Sequence, residues 1–296
     1  MGGAVTAGHG ANQYAQRGSP RAKPSSFAKA DLLAVAKLAA EADQLENQVQ
    51  AAQQRQEEIQ QSQYEIATNP ASPPAALEQL ASDKNTKARY GVARNPSSPP
   101  ALLEQLAQDP DYSVRRGVAE NPACPPAALE KLAYDVNRSV RGGVAINPNS
   151  PPATLIQLSS VDTDYDVYRK VAANPACPPE AFEQLIQNRD RDARCLVAGN
   201  PACPMTLLER LAHYKDPATR QAAAGNPNIP PEMLQTLAQD LDADVRLGVA
   251  RNSSTPPQIL ERLLQDRPEI AQAAADNPGL PPAVRAMWQL AQGRDG

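Results

Sequence analysis

The chain repeats one pattern of 26 residues from Asn69 almost to its end. The most regular copy is NPSSPPALLEQLAQDPDYSVRRGVAE, residues 95–120. A fixed period of this length is typical of stacked units that bury their apolar faces only against their neighbours. The chain is therefore expected to form a linear array of units instead of one large core. The copies begin at Asn69, Asn95, Asn121, Asn147, Asn174, Asn200, Asn226, Asn252 and Asn277, with one extra residue in the fourth copy and one fewer in the eighth.

The apolar positions inside each repeat have helical spacing. With the asparagine counted as position 1, positions 9 and 12 are apolar, as in Leu103 and Leu106. Positions 20 and 24 are also apolar, as in Val114 and Val118, and position 25 is nearly always alanine. Spacings of three and four residues place these side chains on one face of a helix. Each repeat is therefore predicted to contain two short helices, helix A followed by helix B.

Polar residues and prolines mark the ends of both predicted helices. Pro-Pro at positions 5 and 6 opens helix A, because proline is tolerated in a first turn. Asn or Asp occupies position 17 in the first seven repeats, which predicts an N-cap for helix B. Asn-Pro at positions 1 and 2 ends helix B, since a residue before proline avoids helical angles. We interpret these recurring positions as determinants of the fold and not as a binding site.

The columns NPxxPPxxLxxLAxDxxxxVRxxVA, quoted from residues 95–119, resemble the leucine-rich-repeat variant family. The resemblance covers residues 69 to about 292. It implies a right-handed superhelix of short helices, some of them 3-10 in geometry. Some family members also carry an N-terminal cysteine cluster for an iron–sulfur centre, but residues 1–123 contain no cysteine here. The predicted fold is all-α, a right-handed α-solenoid of about eight and a half two-helix repeats preceded by a long helix.

The chain before the repeats divides into two segments. Residues 1–27 are rich in Gly, Ala and Ser and are expected to form a disordered tail. Residues 28–67 contain no Gly or Pro and are expected to form one long helix. The repeat array then covers residues 68–292, and residues 293–296 form a short tail.

The predicted long helix carries a weak heptad pattern. Apolar residues recur every seven positions in two columns, and Gln or Ala occupies several of the core positions. Two interpretations stay open: the helix pairs with itself or a partner as a coiled coil, with self-association through residues 28–66, or it folds back to cap the first repeat. The columns are Leu38, Leu45, Ala52, Ile59 and Ile66, and Val35, Ala42, Val49, Gln56 and Gln63.

Net charge and hydropathy indicate which class of partner and which cell compartment the sequence favours. The chain has a formal net charge of −4, and the repeats from residue 69 onward carry 23 basic and 26 acidic residues. An array that is not basic is less suited to non-specific nucleic-acid binding. The most apolar N-terminal stretch, 32–40, is interrupted by Lys37, which argues against a signal or membrane-spanning segment. We expect a soluble cytoplasmic protein without a membrane partner.

The cysteines and histidines do not form a zinc or redox pattern. Cys124, Cys177 and Cys203 all occupy position 4, where other repeats have serine or threonine. There is no CxxC, and the two histidines are His9 and His213. Zinc sites need closely spaced Cys and His ligands, so no metal or redox role is expected.

Two further motifs fall short of a catalytic or metal site. Asp162, Asp164 and Asp166 imitate the start of a calcium loop. Val167 stands where the loop needs Gly, and Ala173 stands where it needs a bidentate Glu. No Ser or Cys has a histidine column to act as a base, and no phosphate-binding glycine loop is present. We therefore expect no enzyme activity and no cofactor.

Arginine recurs at position 21 and allows two interpretations. A row of arginines on a helical array could follow a phosphate backbone. Alternatively, each arginine pairs with aspartate at position 15 and with turn carbonyls, tying neighbouring repeats together. We favour the second. The arginines are Arg89, Arg115, Arg141, Arg194, Arg220 and Arg246, and the aspartates named for this role are Asp83, Asp109, Asp135 and Asp240.

Recognition is expected where the repeat varies, at positions 18, 22 and 26 of helix B in the first five repeats. Tyr and Arg, which protein-binding surfaces enrich, recur there. The chain is accordingly expected to be a non-catalytic scaffold binding a partner protein. Alternatives are a nucleic-acid-binding helical-repeat protein and an accessory or regulatory subunit of an enzyme complex; an ordinary amphipathic surface also fits. The candidate partner-binding residues are Tyr90, Arg94, Tyr112, Arg116, Arg138, Tyr165, Arg169 and Arg191.

Overall fold

A computed structural model describes residues 26–187 and 190–293. These ranges contain 18 α-helices and no strand. The contacts divide the chain into two units, one ending at Glu58 and the other beginning at Ile59. No helix in the described ranges is both long and apolar enough to cross a membrane.

The first helix, α1, is Ser26–Thr68. The prediction of one long N-terminal helix is confirmed, although the helix begins before residue 28 and so takes in the end of the expected tail. Residues 1–25 of that tail, and residues 294–296 of the C-terminal one, lie outside the described residues. Every side chain over residues 31–58 is exposed.

Helices A and B alternate through the second unit and form an all-α repeat solenoid. Eight helix pairs are followed by one final helix A, as the repeat count predicts. The A helices are α2 (Pro74–Ala81), α4 (Pro100–Leu106), α6 (Pro126–Leu132), α8 (Pro152–Val161), α10 (Pro179–Gln187), α12 (Met205–Ala212), α14 (Pro231–Leu237), α16 (Pro257–Leu263) and α18 (Pro282–Ala291). The B helices are α3 (Thr86–Arg94), α5 (Tyr112–Glu120), α7 (Arg138–Ile146), α9 (Tyr165–Ala173), α11 (Arg191–Gly199), α13 (Pro217–Ala224), α15 (Ala243–Arg251) and α17 (Pro268–Asp276).

The predicted helix ends are confirmed. Position 17 caps helix B in all seven repeats where Asn or Asp stands there; for example, the Asp111 carboxylate accepts from the Ser113 N–H at 2.8 Å. Position 1 follows helix B in extended conformation, as at Asn121 (φ −74°, ψ 123°). Proline at position 6 is the first residue of most A helices, where it removes no intrahelical hydrogen bond.

The core is continuous from one repeat to the next. Leu103, Leu106, Val114 and Val118 are all buried, as are their counterparts in neighbouring repeats. Burying each such side chain contributes about 1.5–3 kcal/mol relative to exposure. A single repeat has too few of these side chains to enclose them, so its stability depends on the repeats on either side.

Neighbouring B helices approach closely at a glycine in position 23. A methyl group added at Gly143 would lie 2.9 Å from Cβ of Ala119, the alanine at position 25 of the preceding repeat. Gly91, Gly117 and Gly248 make the same approach, with added-Cβ distances of 2.7 to 3.2 Å to the corresponding alanines. The small alanine at position 25 and the glycine on the opposing helix together allow this close contact.

Each repeat is joined to the preceding one by the side chain of its first asparagine. Nδ2 of Asn147 donates to the carbonyls of Ala119 at 2.7 Å and Asn121 at 2.9 Å, and its Oδ1 accepts from Asn149 N–H at 2.9 Å. The sequence pattern predicted only that this asparagine ends helix B. The same bonds join Asn95, Asn121, Asn147, Asn174, Asn200, Asn226, Asn252 and Asn277 to the repeats before them.

The last turns of α1 take the place of a helix B before the first repeat. Ala67 is fully buried, and its carbonyl accepts from Asn95 Nδ2 at 2.8 Å, as the position 25 alanines do elsewhere. Gln63 stands one repeat before Arg89 and donates to Asp83 at 2.7 Å. The end of α1 therefore supplies the seam on which the first repeat packs.

Arg285 closes the other end. Its Nε donates to the carbonyl of Ala275 at 2.7 Å and its Nη2 to that of Asn277 at 2.8 Å. These are the two carbonyls that the asparagine of a further repeat would bind. The half-buried Trp288 packs against the core from the same helix, so α18 covers the last repeat.

Candidate interaction surface

The arginines at position 21 form a ladder with the aspartates at position 15 of the next repeat. Nε of Arg115 donates to Asp135 Oδ2 at 2.6 Å and Nη2 donates to Oδ1 at 3.0 Å. Nη1 donates to the carbonyls of Asp109 at 2.8 Å and Pro110 at 3.0 Å. The expected pairing is confirmed, and it also includes Asp162 and Asp266. The ladder pairs are Arg89–Asp109, Arg115–Asp135, Arg141–Asp162, Arg220–Asp240 and Arg246–Asp266.

The pairs Arg220–Asp240 and Arg246–Asp266 favour the charged form of both partners. The hydrogen bond from Arg220 lowers the pKa of Asp240, and the bond from Arg246 lowers the pKa of Asp266. The same bonds raise the pKa of each arginine. Because Nε and both terminal nitrogens already have acceptors, the ladder arginines have little donor capacity left for phosphate. This arrangement stabilises the seam and disfavours a phosphate track.

The ladder changes in the middle of the array. Tyr168 replaces arginine at position 21, and its hydroxyl donates to the carbonyl of Asp162. The neighbouring Arg169 pairs instead with Asp190 at 3.1 Å and with Asp192 at 3.0 Å. One repeat later, Arg194 lies over the Tyr214 ring, 5.3 Å from its centroid, where position 15 lacks an aspartate.

The candidate residues at positions 18 and 22 differ in exposure. Tyr112 and Tyr165 at position 18 are exposed. Tyr90, Arg116 and Arg169 at position 22 are half-buried. The adjacent B helix partly covers Tyr90 and Arg116, because Gly117 and Gly143 bring it close. Position 22 therefore presents less accessible side-chain surface than position 18.

All five candidate arginines have intramolecular partners. Arg94 Nη1 donates to Tyr90 Oη at 3.0 Å, which raises the pKa of Arg94. The other four pair with carboxylates: Arg169 as described above, and Arg116–Glu120 at 3.5 Å, Arg138–Asp164 at 3.1 Å and Arg191–Asp216 at 3.2 Å. Exposed pairs of this kind contribute about 0–1 kcal/mol, so a partner could displace them at small cost. The structure does not gather the eight candidates into one cluster.

An apolar surface lies where helix A turns into helix B in repeats 2 to 4. Tyr134 is 73% exposed, Val136 is 94% exposed and Val161 is 65% exposed. Together with the candidates Tyr112 and Tyr165, we name these five residues the turn surface. Tyr134, Val136 and Val161 were not predicted as binding residues. The signal for them is an apolar residue at a turn position that is mostly polar in other repeats.

A cleft of about 270 Å³ opens on the turn surface between repeats 3 and 4. Tyr134, Leu158 and Val161 line it together with the ladder pair Arg141 and Asp162. The extra residue of repeat 4 falls here, since α8 is longer than most A helices and carries Val161 at its end. The walls of the cleft are partly apolar, and the charges of Arg141 and Asp162 offset each other. The cleft therefore suits an apolar side chain of a partner.

Three of the cysteines are buried, and the carboxylates of Asp164 and Asp166 have partners within the chain. Cys124, Cys177 and Cys203 are buried free thiols, and burial raises the pKa of each to about 12. Asp164 caps α9, and Asp166 pairs with Lys170 at 2.8 Å. Over the described residues no three His, Cys, Asp or Glu side chains are grouped to hold a metal ion.

Models of two known repeat families match segments of the repeat array. The leucine-rich repeat variant domain matches residues 166–226, and the leucine-rich repeat variant matches residues 87–111, 112–137 and 243–267. No curated protein matches.

Several solved structures are similar to the chain. A leucine-rich repeat variant with a novel repetitive structural motif is 29% identical over 69% of this chain and 81% of that chain, with a TM-score of 0.48. Two crystal structures of engineered proteins are 15% and 18% identical, each over 79% of this chain and over 88% and 91% of theirs, with TM-scores of 0.34 and 0.24.

Paired short helices, an asparagine ladder and an arginine–aspartate ladder define an all-α repeat solenoid. Within that class, the chain belongs to the leucine-rich repeat variant family, whose models match it in several separate repeats.

Proposed function

We propose that this chain is a non-catalytic scaffold that binds a partner protein through the turn surface. The observation that carries the proposal is the run of exposed Tyr and Val side chains over three successive repeats, with the cleft between Tyr134 and Val161. Exposed apolar clusters rimmed by polar groups are typical of protein-binding sites. The expected partner segment inserts an apolar side chain into the cleft. Polar groups beside that side chain exchange with the ion pair between exposed Arg138 and half-buried Asp164.

The pairing of the arginines favours a protein partner over a nucleic acid. The ladder arginines donate to aspartates and carbonyls, and exposed Arg138 and Arg191 also face carboxylates. Phosphate binding would have to break these contacts and leave aspartates beside the nucleic acid. We place the scaffold in the cytoplasm, where free thiols such as those of this chain persist.

The test is affinity capture from nuclease-treated source lysate with two matched variants. Val136→Ser changes the turn surface, whereas Leu241→Ser makes the same kind of change at the equivalent turn position of repeat 7. Both side chains are almost fully exposed, at 94% and 101%. Neither change is expected to alter the melting temperature.

The proposal requires a protein that the wild type and Leu241→Ser capture and that Val136→Ser loses. The captured protein is then purified, and its affinity for the same three chains is measured by calorimetry. Equal binding by all three chains would show that the turn surface is not the binding site. Capture of nucleic acid alone when nuclease is omitted, with an affinity that falls steeply as salt rises, would replace it with the nucleic-acid alternative.

A further inference from the structure

The exposed part of α1 presents an apolar seam. Val35, Leu38, Leu45 and Val49 all lie on one face at heptad spacing, and each is more than half exposed. Ala42 and Ala52 continue the same face. In helices of folded proteins, stability comes mainly from packing such a face against another element. A second helix with the same spacing can cover it by knobs-into-holes packing.

We propose that α1 of two copies of this chain pairs as an antiparallel coiled coil. In the register we infer, Leu45 packs on Val49 of the second copy and Ala42 packs on Ala52 of the second copy. The twofold symmetry repeats both layers, so the two largest contacts lie at the centre. The alanine layers on either side let the helices approach closely.

Charge selects the antiparallel orientation. The charged side chains that flank the seam over this stretch are Glu41, Glu46 and Arg55, and all three are exposed. In a parallel pair, Glu41 of each copy would face Glu46 of the other, giving two repulsive contacts. In the antiparallel register, Glu41 of each copy faces Arg55 of the other, giving two attractive contacts. The cost is a single contact between the two Glu46 side chains at the symmetry axis.

This inference goes beyond the proposed scaffold function, because it concerns a surface outside the repeats. It would give each assembly two turn surfaces. A partner with two binding segments would then bind more tightly than one segment does alone, provided both can engage together.

The first experiment measures the solution mass of the full chain by light scattering over a wide concentration range. The wild type is expected at twice the chain mass at high concentration. Leu45→Glu puts a charge into the central layer and should give a monomer. Asn47→Glu adds the same charge to an exposed position off the seam and should leave the dimer intact. A monomeric wild type at all concentrations would overturn the proposal.

The second experiment fixes the orientation by exchanging charges. Glu41→Arg should weaken the antiparallel dimer roughly tenfold, since two attractive contacts become repulsive. Combining Glu41→Arg with Arg55→Glu should restore it. In a parallel dimer, Glu41→Arg would instead strengthen association by facing Glu46, and that result would overturn the orientation. Circular dichroism of each variant checks that α1 stays helical.

Discussion

Arg115 and Arg116 are adjacent arginines of one helix with different roles. Arg115 is 15% exposed and holds Asp135, which is 8% exposed, whereas Arg116 is 38% exposed and lies 3.5 Å from Glu120. Arg115→Ala should cost about 3 kcal/mol, because it leaves a buried carboxylate without its partner. Arg116→Ala should cost about 0.5 kcal/mol or less. Urea unfolding followed by circular dichroism compares the two, and equal losses would contradict the structural role of the ladder.

The asparagine at position 1 can be tested in the same way. Asn147→Ala removes the donors to Ala119 and Asn121 and should cost about 2–4 kcal/mol, because the buried carbonyl of Ala119 loses its donor and that of Asn121 keeps only the Cys124 N–H. Asn69→Ala is the matched control: Asn69 is exposed, and its side chain accepts from Ala71 N–H within its own turn. That change should cost less than about 1 kcal/mol. If thermal unfolding shifted equally for both, the contact between repeats would not be the source of the loss.

At the scale of the helix, the glycine at position 23 decides how closely two B helices pack. Gly143→Ala should destabilise the chain by about 1 kcal/mol, because the new methyl group meets Ala119 at 2.9 Å and this overpacking outweighs the gain in helix propensity. Gly199→Ala should be neutral or stabilising by up to about 1 kcal/mol, since the nearest atom to its added methyl is the carbonyl oxygen of Ala222 at 3.9 Å. Melting temperatures of the two alanine variants compare these effects, and a stabilised Gly143→Ala would show that the neighbouring helix can move away.

The helices could be predicted because each depends on signals within one repeat. Paired leucines and valines, prolines and N-caps recur in register. The helices could therefore be predicted even in repeats where one position departs from the pattern. Contacts between repeats were harder to predict. The pairing of Arg115 with Asp135 was expected because charge makes such pairs visible, whereas the bonds of Asn147 were missed because a turn asparagine has a sufficient local explanation.

The interaction surface could be predicted only in part. Tyr112 and Tyr165 were chosen from helix B and lie on the turn surface, but Tyr134 and Val136 belong to the turn before it. A helical periodicity cannot show that the turns of successive repeats lie side by side. The half-burial of Tyr90 and Arg116 was missed for a related reason, since it depends on how closely the next helix approaches.

On the scale of the whole molecule, each end of the repeat array lacks a neighbouring repeat. At each end, a different residue makes the contacts that this neighbour would make. At one end Gln63 takes the role of the ladder arginine, and at the other Arg285 takes the role of the next asparagine. Neither residue follows the repeat consensus, yet Gln63 donates to the Asp83 carboxylate of the first repeat, and Arg285 donates to the carbonyls of Ala275 and Asn277 at the other end. Because repeats contact mainly their neighbours, loss of an end should open the array locally before it unfolds as a whole.

Arg285→Ala tests this view at the C-terminal end. The change removes the donors to the carbonyls of Ala275 and Asn277 and should lower the free energy of opening the last repeats by about 2 kcal/mol. Hydrogen exchange followed by mass spectrometry should then show faster exchange in α17 and α18, while α5 and α7 keep wild-type protection. Arg262→Ala, at an exposed position in α16, is the control and should leave exchange unchanged. Faster exchange throughout the array would instead mean that the repeats open as one cooperative unit, so that the end contact stabilises every repeat equally.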